Sequence, residues 1–246
     1  MHLYKLSQIG EFHVNHNEDY LVSEEVGKNR LLLAVMDGCS SGTDSHFAAT
    51  LIGKLLRKLA RQEACLEFAR QVEKPLNQLL DDLALQLFTE LGGFNRQLDL
   101  APDELLSTLI LALIDTRQKQ AETLIAGDGL VHINGNTSEY ENDNKPDYLG
   151  YHLQKDKQHW LHNHTTRRSD TNIQDFSIST DGIFTFKNVD GKIYPPISEA
   201  EILSTFLDDI SRLENPNKLK RALIDIQETY GLRPSDDLTL IRMVLG

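Results

Sequence analysis

An α+β fold is expected, with two antiparallel β-sheets packed face to face and helices on the outside. Apolar runs of strand length come in adjacent groups, and amphipathic stretches of helical period come in adjacent pairs. That is not the strand–helix alternation of parallel βαβ units. The chain has 246 residues, 40% of them apolar and 25% charged, enough for one domain with a substantial core. Residues 1–246 are accordingly read as a single domain.

The elements follow in order. Residues 3–9 and 20–23 are short strands, and 31–36 (LLLAVM) is a strand buried along its length. Residues 38–42 (GCSSG) make a tight loop. Residues 45–60 carry Phe47, Leu51, Leu55 and Leu59 at helical spacing. Residues 63–91 form a second helical stretch with Leu76, Leu79, Leu80, Leu83 and Leu87 on one face, which Pro75 either kinks or divides. Strands are expected at 108–114, 121–126, 131–134 and 137–140, the last two joined by the hairpin signal Asn134-Gly135. Residues 141–147 are polar, contain Pro146 and read as a loop. A strand at 174–179 runs into Thr180-Asp181-Gly182. Helices are expected at 198–208, opened by a Ser198/Glu201 capping box, and at 216–230, ended by Gly231. The last strand covers 238–244.

Composition excludes several functions. A formal net charge of −12 repels a phosphate backbone, so nucleic acid is a poor partner. Cys39 and Cys65 show neither zinc spacing nor a disulfide framework, which points to a reducing, cytoplasmic setting. The opening MHLYKLSQIGEFH has no apolar signal core, and no apolar run approaches the roughly 18–20 residues of a membrane span. P-loop, protein-kinase and H-E-x-x-H motifs are missing.

The chemistry lies in acidic loops. Asn17-Glu18-Asp19, Asp37-Gly38, Asp181-Gly182 and Asp236-Asp237 each adjoin a predicted strand, and Gly127-Asp128-Gly129 is a fifth Asp-Gly site. A strand end holds a side chain rigidly, and glycine lets carbonyls and water approach. One Asp-Gly is most often a turn. The whole set is an oxygen-rich constellation suited to Mg²⁺ or Mn²⁺.

In order, the segments NEDY (17–20), VMDG (35–38), STLILALI (107–114), GDG (127–129), STDG (179–182) and DDLT (236–239) resemble the successive motifs of the PP2C phosphatases: NED, DGxGG, a strand opening GTT or GST, GDS, SDG and DNxT. The resemblance spans nearly the whole chain. It implies a four-layer αββα sandwich with two metal ions, Mn²⁺ or Mg²⁺, at one end. It also implies metal-dependent hydrolysis of phosphoserine and phosphothreonine in proteins, opposing a serine/threonine kinase. Residue by residue, Asp19 matches an aspartate that reaches a metal mainly through water, with Glu18 beside it in the outer shell. Asp37 matches the aspartate that bridges the two ions, and Gly38 the residue that offers its carbonyl. Asp181 and Asp236 match the remaining acidic ligands, with Asp237 as second choice to Asp236. The family's third ion, held by an acid before the GTT motif, implies Glu104, with Asp103 adjacent.

The pattern is broken at several points. The arginine that many members place five residues before the NED aspartate to hold phosphate is Val14 here. His13 or His16 is one substitute; Arg167 or Arg168, reaching in from the stretch between Asp128 and Asp181, is another. That stretch also carries His162 and His164 at a spacing that strand alternation produces by chance. The glycine loop, Asp37-Gly38-Cys39-Ser40-Ser41-Gly42, is one residue longer than the motif, with Cys39 where some members have a histidine. Two other readings stay open: a non-catalytic phosphatase-like domain that binds a partner, and a hydrolase of other phosphate monoesters.

Overall fold

The computed structural model describes residues 1–42, 44–141 and 146–246. Strands β1 (His2–Gln8), β2 (Tyr20–Gly27) and β3 (Arg30–Met36) precede two long helices, α1 (His46–Arg70) and α2 (Leu76–Leu98). Then come β4 (Leu109–Asp115), β5 (Gln120–Ala126), β6 (Gly129–Ile133), β7 (Asn136–Tyr140), α3 (Lys157–Asn163), β8 (Thr166–Thr171) and β9 (Asp175–Ser179). The chain closes with β10 (Phe186–Asn188), α4 (Glu199–Leu207), α5 (Lys218–Tyr230), β11 (Leu232–Pro234) and β12 (Leu238–Val244).

Two five-stranded antiparallel sheets result, ordered β1-β12-β9-β6-β7 and β2-β3-β4-β5-β8, beside a small β10-β11 pair. The expected α+β sandwich is present, and the three apolar clusters show why. Leu33, Val35, Ile110, Ala112 and Ile114 pack between the sheets against Val131, Phe176, Ile178 and Ile241. Their strand neighbours Leu32, Ala34, Met36, Leu109, Leu111 and Leu113 point the other way, against α1 and α2. On the outer face of the other sheet, Leu238 and Leu240 meet Ile202, Phe206, Leu219 and Leu223 of α4 and α5. A strand covered on both faces must be apolar at every position, which is why β3 and β4 read as unbroken apolar runs. None of the helices among the described residues is long and apolar enough to cross a membrane.

The expected helix boundaries need correction. α1 does not stop near residue 60 but runs to Arg70, where Gln71 turns left-handed (φ 53°) and its N–H closes on the Glu67 carbonyl. The second stretch therefore begins at Leu76, and Pro75 divides the helices instead of kinking one. α3, β8, β10 and β11 were not expected. β8, TRRSDT, is a polar edge strand with no alternation to reveal it. His162 lies on α3, not on a strand. Of the loop expected at 141–147, residues 142–145 lie outside the described residues.

Registers align the strand ends. Tyr20 pairs with Met36, Leu109 with Ala126, Leu130 with Ser179, and Ser179 with Leu240. The start of β2, the ends of β3, β5 and β9, and the start of β12 thus lie at one end of the sandwich.

β12 is clamped by a fully buried arginine. Arg242 donates to the Asp175 carboxylate (Nη2 2.5 Å) and to the carbonyls of Phe206 and Asp209 (3.1 and 2.9 Å). Arg242→Ala leaves these acceptors without a donor inside the fold and is expected to destabilise the protein by about 3 kcal/mol; a shift in the urea unfolding midpoint measures it.

Candidate functional site

The aligned strand ends carry the acids singled out above. Asp19 precedes β2 and is 6% exposed. Thr180 Oγ1 donates to its Oδ2 at 2.7 Å, but Oδ1 is buried with no hydrogen-bond partner. The Asp37 carboxyl and the Thr239 hydroxyl lie beside this carboxylate. Asp37 is positioned by its own backbone: its N–H donates to Thr108 Oγ1 (3.1 Å), and its carbonyl accepts from Thr108 N (2.9 Å). The Ser107-Thr108 segment is thus a brace for the aspartate that ends β3.

Asp181 opens a short 3₁₀ turn, Asp181–Phe184, directly after β9. A side chain on the next residue, Gly182, would collide with the carbonyl of Asp237, so only glycine allows the β9 and β12 ends to approach this closely. Asp236 and Asp128 complete the group.

The electrostatics are those of crowded anions. Burial pushes the Asp37 carboxyl well above the usual carboxylate range, and the charges of Asp19, Asp181 and Asp236 push it further. Burial does the same to Asp19, against the pull of its Thr180 hydrogen bond. Asp181 is pushed up to about 7 by burial and by the charges of Asp128 and Asp236. Asp128 is raised by burial, then by Glu141 and Asp236. A divalent cation relieves this kind of crowding, and a half-satisfied, hard-oxygen donor set fits Mg²⁺ or Mn²⁺.

Two acids do a different job. Asp237, 2% exposed, accepts from Gly10 N (2.7 Å) and Glu18 N (2.5 Å) and faces His13 Nδ1 (2.9 Å). Its carboxylate is committed to fastening the loop before β2, which leaves Asp236 as the acid turned to the group. Glu18 accepts from Ser40 Oγ (2.7 Å) and Ser45 Oγ (2.5 Å), so it secures the elongated glycine–serine loop. Gly38 N donates to the Glu18 carbonyl at 3.2 Å.

The substitutes for the missing arginine separate clearly. His13 is at the site, with Nε2 3.5 Å from Asp236 Oδ1. Burial favours its neutral form, but the Asp237 hydrogen bond and the charges of Asp237, Glu18 and Asp236 outweigh that and raise its pKa. His16 instead stacks on His46 (4.3 Å between centroids). The expectation that Arg167 or Arg168 reaches the cleft is corrected. Arg167 pairs with Asp81 on α2, and Arg168 donates to Asp170 (2.7 Å) and Ser138 (2.6 Å), because β8 is an edge strand whose two faces turn these side chains to its own neighbours. Glu104 is also drawn away: its carboxylate accepts from Ala101 N at 2.6 Å and closes its own 3₁₀ turn. The backbone carbonyl of Asp103 packs against Gly42.

The sequence places Asp128 in a fifth Asp-Gly site and in the GDG motif but assigns it no ligand role. No signal in the sequence marks Tyr148. It is half-buried, and burial, with the neighbouring Cys39 adding to it, raises its phenol pKa. Cys39 itself is buried, as a packing residue would be.

Residues 13–226 match the family model described as Protein phosphatase 2C. No curated protein sequence is matched at a significant level. Among solved structures, a bacterial serine phosphatase is similar at TM-score 0.66 and 12% identity, covering 99% of this chain and 98% of that one. RsbX, crystallised with magnesium, is similar at TM-score 0.58 and 17% identity, covering 100% and 96%. The serine/threonine phosphatase Stp1 from Staphylococcus aureus is similar at TM-score 0.58 and 14% identity, again covering 100% and 96%. These structural similarities show a shared fold, and the family model takes in Asp19, Asp37, Asp128 and Asp181. The chain belongs to the protein phosphatase 2C family of protein serine/threonine phosphatases.

Proposed function

We propose that the protein uses Mn²⁺ or Mg²⁺ to hydrolyse phosphoserine and phosphothreonine in other proteins. One observation carries the reading: five carboxylates from five strand ends converge, and the most buried of them, Asp19, keeps an oxygen with no hydrogen-bond partner. Asp19, Asp37, Asp181, Asp236 and the Gly38 carbonyl would hold two ions. For a third ion, Asp128, not Glu104, is the acid that the fold sets beside Asp181 and Asp236.

Divalent cations bound here supply Lewis acidity toward a phosphoryl oxygen and acidify water. The chain's own groups hold and orient. Thr180 fixes the Asp19 carboxylate through one oxygen and leaves the other free. Thr108 sets the backbone of Asp37. His13, anchored by Asp237 at the rim, offers an N–H donor to a substrate phosphate in place of the absent arginine. Both sheets contribute acids, so residues 1–246 work as one domain. The substrate is then a phosphorylated protein made by an opposing serine/threonine kinase, and the free thiols Cys39 and Cys65 support a cytoplasmic setting.

Asp37→Asn is expected to lose nearly all Mn²⁺-dependent turnover of p-nitrophenyl phosphate and of a phosphothreonine peptide while its circular dichroism stays native. Folded wild-type protein that is inactive with both metals refutes the enzymatic reading; activity on small esters alone refutes the protein substrate. His13→Ala is expected to raise KM for the phosphopeptide severalfold, whereas Arg167→Ala and Arg168→Ala leave it unchanged; steady-state kinetics of the three variants decide between the candidates.

A pH dependence also follows. Carboxyls whose folded pKa lies above the unfolded value of about 3.9 add stability at low pH and remove it as pH rises through the folded value. Asp19, Asp37, Asp128 and Asp181 all shift this way, and the raised pKa of His13 acts in the same sense. In chelator, the melting temperature is expected to fall between about pH 5 and about pH 8. Saturating Mg²⁺ or Mn²⁺ flattens that slope, and Asp37→Asn makes it shallower without metal. Calorimetry that finds equal slopes with and without cation contradicts the proposed binding.

A further inference from the structure

A second group of donors lies apart from the acidic cleft, around α3. Asp147 stands just before a 3₁₀ turn, Leu149–His152, and His164 caps the C-terminal end of α3. His152 Nε2 is 2.6 Å from Asp147 Oδ1, and His164 Nδ1 is 2.8 Å from Asp147 Oδ2. The two imidazoles stack 3.8 Å apart. One donor atom from each of the three residues lies within 4.8 Å of the other two. His152 is 3% exposed, while Asp147 and His164 are partly open, so the group has a buried floor and a side facing solvent.

We infer that Asp147, His152 and His164 form a further cation site, suited to a zinc-class divalent ion and distinct from the Mg²⁺ or Mn²⁺ cleft. Two imidazole nitrogens and one carboxylate oxygen are the donors such ions take, with solvent in the remaining position, whereas Mg²⁺ favours oxygen alone. Donors at about 2.0–2.1 Å from a tetrahedral ion stand about 3.3 Å from one another. The two hydrogen-bonded pairs must therefore open by about 0.5–0.7 Å, and the stacked rings, 29° apart, must turn so that both nitrogens aim at one point. The partly exposed Asp147 carboxylate and His164 ring supply that adjustment, while buried His152 stays in place.

The protonation states suit the exchange. Burial favours neutral His152 and holds it below its ordinary pKa. Burial would raise Asp147, but its hydrogen bonds to His152 and His164 outweigh this and keep it ionised. Without an ion, Lys155 Nζ lies 3.2 Å from His152 Nδ1, so the ring carries its proton on Nε2, toward Asp147. Ion binding moves that proton to Nδ1 and turns the exposed Lys155 ammonium away; His164 shifts its proton from Nδ1 to Nε2. Each ion-bound ring keeps one proton, on the nitrogen turned away from the ion. His162, two residues before His164 in the sequence, takes no part: its Nδ1 is engaged with the Gln158 carbonyl, and the partner of His164 is His152.

The test uses the whole chain saturated with Mg²⁺, so that the oxygen-donor cleft is filled. Co²⁺ serves as the optical probe and Zn²⁺ as its competitor. About one equivalent of Co²⁺ is expected to give the intense visible absorption of a nitrogen-bound tetrahedral ion, and Zn²⁺ to abolish it. His164→Ala is expected to weaken Zn²⁺ binding by at least about tenfold, and Asp37→Asn to leave it unchanged. His152→Ala should act like His164→Ala; if its buried site does not tolerate the change, the partly exposed His164 carries the test. An absence of Co²⁺ or Zn²⁺ binding in Mg²⁺-saturated protein overturns the proposal, as does binding indifferent to His164→Ala. Binding lost in Asp37→Asn places the ion in the acidic cleft and also overturns it, without touching the phosphatase reading.

Discussion

Like charges held close together in a poorly hydrated place repel, and most of the structure around the acidic end is an answer to that repulsion. Asp19, Asp37, Asp128, Asp181 and Asp236 come from loops far apart in the chain, yet the sandwich sets them side by side. A fold gains nothing in stability from such an arrangement by itself. It persists because the covered sheets beneath it supply far more apolar burial than the acids cost, and the proposed divalent cations would turn the repulsion into attraction.

The loops that bear these acids are pinned by other polar groups, each with one clear task. Asp237 gathers the backbone of Gly10 and Glu18, Glu18 gathers Ser40 and Ser45, Thr108 braces Asp37, and Thr180 braces Asp19. Arg242 locks β12 from beneath by tying it to Asp175 and to the last carbonyls around α4. Adjacent acids here thus divide the work: Asp237 accepts from the N–H groups of Gly10 and Glu18, far away in the chain, whereas Asp236 accepts locally from Asp237 N (2.8 Å) and adds its charge to the field on Asp37, Asp128 and Asp181.

Such a division is where sequence reading ran short. The unbroken apolar runs of β3 and β4 were legible because burial on both faces leaves no polar position, and α4 was legible through Ser198 and Glu201, whose reciprocal bonds are local. The ordered acidic motifs were legible as a set. The ion pair of Arg167 with Asp81 was not, since it joins positions distant in the chain across an edge strand and a helix. Glu104 was misdirected because a 3₁₀ turn offered its carboxylate an N–H donor three residues back. α3 and β8 carry too little apolar periodicity to announce themselves; α3 is signalled only by Asp156, which accepts from the N–H groups of Gln158 and His159.

The polar character of β8 has a bearing on the protein's behaviour in a crowded solution. β8 ends its sheet, and its outer side presents unpaired backbone groups that a strand of another molecule could extend. The run Thr166-Arg167-Arg168-Ser169-Asp170-Thr171 surrounds that margin with charge and hydroxyl groups and leaves no apolar side chain on it. Docking a second sheet there would strip water from the exposed Thr166, Ser169 and Thr171 and from the open sides of the Arg167 and Arg168 ion pairs with nothing greasy to compensate, so the rim discourages fibril-like stacking of one copy on the next.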